Sequence, residues 1–161
     1  MPGMKNCEIE HKFLVHKEKW FALEKPEGTE YLQGYLSIDP DKVVRVRVSG
    51  EKGFLTIKGK SETPAHPEFE YTIPVEDARA LLELFTTTRV EKTRTRIISG
   101  DHSWDVDEFH GENEGLIVAE IELESEAEHF DLPEWVGEEV TADRRYYNAY
   151  LSLHPYRSWG G

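Results

Sequence analysis

CEIEHKFLV, residues 7–15, has the length and the β-branched and aromatic content of a sheet strand, and its charges follow a pattern. Side chains alternate across an extended chain, so Glu8, Glu10 and Lys12 share one face. Two carboxylates and an ammonium aligned in this way raise the question of what that face meets.

The same alternation recurs along the chain. KVVRVRVS (42–49), GFLTIKGK (53–60), EFEYTIPV (68–75), RVEKTRTRIIS (89–99), SWDVDEF (103–109) and LIVAEIELE (116–124) are strand-length runs between turn signals, and TEYLQGYLSI (29–38) brings the total to about eight. VEDARALLELF (75–85) instead spaces Ala78, Leu81, Leu82 and Phe85 as a helix, and TADRRYYNAYLSL (141–153) reads as a helix with Thr141 as N-cap. Residues 16–24 and 125–130 are expected to add short helical turns. The expected fold is α+β: an antiparallel sheet with a few covering helices.

One parity of these strands carries Glu8, Glu10, Lys12, Arg45, Arg47, Lys58, Lys60, Glu68 and Glu70. Further along it carries Lys92, Arg94, Arg96, Asp105, Asp107, Glu120, Glu122 and Glu124, while the other parity holds Val44, Val46, Leu55, Ile57, Val106, Ile121 and Leu123. The charged set is nearly neutral, nine acids against eight bases, although the whole chain has 32 Asp and Glu against 19 Lys and Arg and a net charge of -13. A merely solubilising face would share the acidic excess. For a single strand, outward charges forming cross-strand ion pairs would suffice; repetition over seven strands favours a sheet curled into an eight-stranded antiparallel barrel with an ionic lumen, wide enough for one small ligand.

The bulk numbers narrow the function. With 161 residues and 38% hydrophobic content, one domain spanning 1–161 is the simplest organisation. The acidic excess disfavours nucleic acid and anionic membranes as partners. A single cysteine, Cys7, rules out an intrachain disulfide, and no secretory or membrane-spanning apolar run is visible, so the expected location is the cytoplasm. Either a monomer or a homodimer is compatible with these features.

Clustered carboxylate oxygens require a cation, and hard oxygen ligands suit Mg²⁺ or Mn²⁺. Clustered Lys and Arg require an anion, most naturally one with several phosphates. A metal-bound polyphosphate meets both demands.

Glu8-Ile-Glu10-His-Lys12 resembles the ExExK signature of the CYTH, or triphosphate tunnel metalloenzyme, superfamily. The likeness extends through QGYL (33–36), RVR (45–47), LTIKG (55–59), EFE (68–70), VEKTR (90–94), WDVDEF (104–109), VAEIELE (118–124) and WVGEEVTADRRYYN (135–148), in the order of its short bacterial members. It covers nearly the whole chain, and the ordered series is far more specific than ExExK alone. The resemblance implies an eight-stranded tunnel and divalent-metal-dependent hydrolysis of a triphosphate, with inorganic tripolyphosphate cleaved to diphosphate and phosphate. It also leaves thiamine triphosphatase, nucleoside triphosphatase or adenylate cyclase chemistry, or polyphosphate binding without turnover, as alternatives.

Carried over residue by residue, it makes Glu8, Glu10, Asp107, Glu120 and Glu122 metal ligands and Lys12, Arg45, Arg47, Lys58, Lys92 and Arg94 the phosphate grip. Glu8, Glu10, Lys12 and Arg145 form the catalytic set, with Arg144 or Arg145 reaching the terminal phosphate; many relatives have Lys-Arg where this chain has Arg144-Arg145. Glu68 and Glu70 are expected to hold the basic residues by ion pairing. Asp105, Glu124, Lys60 and Arg96, nearer the strand ends, are expected to be solvated.

Other chemistries find no support. There is no GxxxxGK[ST] loop, and GEKGF (50–54) reads as a hairpin turn. No HExxH occurs. His102, Ser103 and Asp105 form a poor triad because strand alternation separates their directions, and Trp20, Trp104, Trp135 and Trp159 read as packing residues.

Overall fold

A computed structural model describes residues 7–39, 41–60 and 65–159, with the side chains of Cys7 and Glu8 outside that description. Nine strands form one antiparallel sheet: β1 (Cys7–Val15), β2 (Thr29–Asp39), β3 (Lys42–Ser49), β4 (Lys52–Gly59), β5 (Ala65–Ile73), β6 (Val90–Ser99), β7 (His102–Phe109), β8 (Ile117–Leu123) and β9 (Val136–Glu139). Three helices cover it: α1 (Lys17–Ala22), α2 (Val75–Phe85) and α3 (Asn148–Leu153). The order is β5-β4-β3-β2-β6-β7-β8-β1-β9, and a further β5–β1 pairing closes the first eight strands into a ring. That seam consists of Cys7↔Pro67, Glu8↔His66 and Ile9↔Ala65 among the described residues.

Closure turns the two strand parities into an inside and an outside. Outside, Trp104, Val106, Ala119 and Ile121 pack with Phe13, Trp20 from α1, Trp135 and Val136. Edge-on aromatic contacts bind this cluster, with Trp104 centred 5.5 Å from Phe13 and 5.8 Å from Trp135. A second cluster continues the inward rows of Lys92, Asp107 and Glu120, joining Val90, Phe109 and Val118 to Leu151 of α3; outside again, a third seats Ala78 and Leu82 of α2 on Val46 and Val48. Ile57, Phe69 and Tyr71, on the outer face of β4 and β5, remain partly exposed.

The helix expected over 75–85 forms with those bounds; Glu76 and Asp77 in its first turn favour the positive end of its dipole. Phe85, the last member of its apolar stripe, is exposed. Gly53 lets α2 approach the sheet, since a Cβ there would stand 2.8 Å from Ala78 Cβ and 3.0 Å from the Ile73 carbonyl oxygen. Gly50 supplies the φ of 60° that the β3–β4 hairpin turn needs.

Three expectations change. Residues 141–153 are not one helix: Asp143 caps a 3-10 turn at Arg144–Tyr146, and α3 begins at Asn148. Thr141 does not cap, because its hydroxyl accepts the Lys12 amide at 3.0 Å and donates to Glu139. Residues 125–130 form turns without a helix, and β9 was not foreseen because only four residues of it pair with β1.

Replacing Gly53 by Ala should cost about 1–3 kcal/mol, because the new methyl meets backbone and a Cβ that cannot swing aside. Urea unfolding would measure this. An unchanged midpoint would mean that α2 is not pinned there.

Candidate active site

Inside the ring lies a cavity of about 1630 Å³. Glu10, Lys12, Glu120 and Glu122 border it from β1 and β8, and Arg45, Arg47 and Lys58 from β3 and β4. Glu68 and Glu70 face it from β5, Lys92 and Arg94 from β6, and Arg144 from the 3-10 turn. Asp105, Glu124, Lys60 and Arg96 border it too, at its more exposed margins. The β1 backbone places Glu8 opposite His66 at the seam, and its side chain lies outside the described residues.

Register explains the acidic wall. Glu10 stands directly opposite Glu122, and Lys12 opposite Glu120. Lys12, 4% exposed, places Nζ 3.0 Å from Glu10 and 2.7 Å from Glu120. Burial works against its charge, but the two carboxylates outweigh burial and raise its pKa above the ordinary value. Burial and neighbouring Glu10 push Glu120 up, yet Lys12, Arg94 and Lys92 prevail and leave it below the ordinary range.

The basic wall is crowded. Burial, followed by repulsion from Arg45 and Arg94, pulls Arg47 from 12.5 down to about 9. Arg47 has no carboxylate partner among the described residues; its Nε donates to Gln33 at 2.8 Å and its guanidinium lies over Tyr31. Arg45 meets Thr56 at 3.1 Å and Glu70 at 3.5 Å, while its buried Nε has no partner. Lys58 faces Glu68 across β4 and β5.

Asp107 differs from the expected metal ligand in its surroundings. It is fully buried, and Arg94 donates to both of its oxygens, Nε at 2.8 Å and Nη2 at 2.9 Å, while Lys92 Nζ donates at 2.8 Å. Burial opposes ionisation, but Arg94 and Lys92 overcome it and hold the carboxyl down at about 2 from an ordinary 3.8. Lys92 is lowered well below its usual value by burial, with Arg94 and Arg47 adding to the effect and Asp107 opposing it without prevailing. Both Asp107 oxygens are therefore committed to Arg94 and Lys92.

The adjacent arginines separate. Arg144 borders the cavity. Arg145, expected in the catalytic set, is tied to Asp143 at 2.7 Å and lies over Trp159, outside the cavity lining. His102 bonds Glu128 at 2.6 Å, so its ring serves no triad with Ser103.

Several cavity residues were not foreseen. Tyr31, Gln33 and Tyr35 follow a period of two along β2, a signal available in the sequence. Asn148 had none: its side chain meets Gln33 and Lys92, both at 3.0 Å, only because α3 folds against β2 and β6.

The donor set fits a hard cation. Glu10, Glu120 and Glu122 offer oxygens toward one space, although no group of three His, Cys, Asp or Glu forms a ready-made metal cage among the described residues. Mg²⁺ binding through one or two carboxylates, with water and substrate phosphate completing the shell, needs no such cage.

The family model described as the CYTH domain matches residues 6–150. An inorganic triphosphatase of Acetivibrio thermocellus is 47% identical over 153 residues, covering 94% of this chain and 97% of its own. Another from Nitrosomonas europaea is 35% identical over 150 residues, covering 91% and 97%. The crystal structure of an inorganic triphosphatase superposes with a TM-score of 0.62 at 37% identity, covering 91% of this chain and 94% of that one.

The Asp107 arrangement predicts a pH effect. Because the folded pKa is depressed, its stabilisation, about 2 kcal/mol, is fully present above the unfolded value and is lost as pH falls from 3.8 toward about 2. Asp107→Asn should abolish that part of the acid transition and, by leaving Lys92 and Arg94 unbalanced, cost about 3–5 kcal/mol at neutral pH. Denaturant unfolding between pH 2 and 7 tests both, and identical acid profiles for the two proteins would refute the assignment.

Proposed function

The chain belongs to the CYTH domain family, and from that premise we propose that it hydrolyses inorganic tripolyphosphate to diphosphate and phosphate with Mg²⁺ or Mn²⁺. The observation that carries this reading is the convergence of Arg45, Arg47, Lys58, Lys92 and Arg94 on one cavity whose other wall carries Glu10, Glu120 and Glu122, a pairing of cations with carboxylates that a metal-bound polyphosphate would satisfy. The names of the relatives at 47% and 35% identity support the choice of substrate.

In this reading Glu10, Glu120 and Glu122 hold the metal, the role that the family resemblance also gives Glu8. When bound, the metal neutralises phosphate oxygens and lowers the pKa of its water. Lys12 keeps Glu10 and Glu120 oriented while remaining charged. Arg45, Arg47, Lys58, Lys92 and Arg94 bind the phosphate chain and stabilise charge on its equatorial and leaving oxygens, so no covalent enzyme intermediate is required. Arg144 takes the role expected of one member of its pair, and Asp107, Glu68 and Glu70 position the basic side chains.

A second reading, hydrolysis of an organic triphosphate, is favoured by one feature: Ile38, Val43, Leu153 and the stacked Tyr150–His154 pair border part of the same cavity and could face an organic group.

Phosphate release should be measured with tripolyphosphate, ATP and thiamine triphosphate in parallel, with each metal. The expected result is fastest turnover of tripolyphosphate, abolished by chelation; no release from it under any condition would sink the proposal. Glu10→Gln should reduce kcat by at least about a hundredfold through lost metal binding. Arg47→Ala should raise KM by roughly ten- to a hundredfold, the worth of a charge-assisted hydrogen bond.

A further inference from the structure

A buried and a half-buried guanidinium share one aromatic ring. The guanidinium carbon of Arg47 lies 4.6 Å from the Tyr31 ring centroid and that of Arg94 lies 5.2 Å away, and both side chains border the cavity. Their other contacts differ. Arg94 is bonded to Asp107 through Nε and Nη2. Arg47, 8% exposed, spends only its Nε, on the uncharged amide of Gln33.

A carboxylate would stabilise Arg47 as a cation, but it would also occupy the N–H groups that a phosphate needs. The electron-rich face of an aromatic ring attracts a guanidinium without accepting its in-plane hydrogen bonds. We infer that Tyr31 is a positioning residue that keeps Arg47 charged and fixed relative to Arg94 while leaving its two terminal nitrogens open to the phosphate chain. Tyr31 thereby sets affinity for the substrate through the arginines it stacks on. The inference rests on the tripolyphosphate reading of the same cavity.

The test is a graded series in the full-length protein: Tyr31→Phe, then 4-fluoro-, 3,5-difluoro- and pentafluorophenylalanine at the same position. Shape is nearly conserved while the ring face loses its negative character. KM for tripolyphosphate should rise stepwise to about tenfold at the pentafluoro ring, with Tyr31→Phe close to wild type and kcat and melting temperature little changed. A flat series, or Tyr31→Phe as impaired as the pentafluoro variant, overturns the inference. Independently of turnover, the Arg47 Nε–H should exchange with solvent faster along the series as ordering is lost; a constant exchange rate overturns it equally. Failure of the wild type to cleave tripolyphosphate would count against the function, and in that case the exchange series decides the role of Tyr31.

Discussion

Rolling eight strands into a closed ring forces one parity of every strand into a shared space. For most sheets that parity is apolar and closure is driven by its burial. Here the apolar parity lies outside, covered in patches by α1, α2 and the 130s segment, while the interior receives the charges and α3 packs on the apolar residues that continue the inward rows. Everything about the interior follows from the need to place those charges beside one another.

The two walls answer that need unequally. Around β1, β7 and β8, acids and bases neutralise each other: Lys12 holds two glutamates, and Arg94 and Lys92 hold Asp107. Around β2 and β3 compensation is thinner, with an amide, a threonine, an aromatic face and one long contact to Glu70 standing where carboxylates could have been. The first wall is largely self-compensated. The second retains an excess of positive charge and is the half of the cavity that an anion would complete. Balance on one side and imbalance on the other make the site receptive without making the fold collapse.

The ring was legible because its signal is a simple period of two. The bounds of β1, β3 and α2 match the expected segments, and charge parity alone separates the ionic interior from the apolar exterior. What escaped depends on distances between elements. Strand parity put Asp107 in the ionic row, but it could not reveal that Arg94 and Lys92 would reach it from the neighbouring strand and use both its oxygens. Nor could it separate Arg144 from Arg145, whose directions are set by a 3-10 turn capped by Asp143 and by the stack against Trp159. The Thr141 cap was a sound local expectation overridden by a longer-range bond to β1.

The seam between β1 and β5 has a mechanical implication. Three residue pairs join these strands among the described residues, whereas β3 and β4 are joined by eight. The seam joins segments nearly sixty positions apart along the chain and the β1–β8 pairing segments more than a hundred apart, so both edges of β1 are fastened by contacts that carry a loop-closure penalty absent from a local hairpin. β1 is thus the keystone strand: it brings Glu10 and Lys12 to their partners on β8, and the acidic wall exists only where that long-range pairing is made.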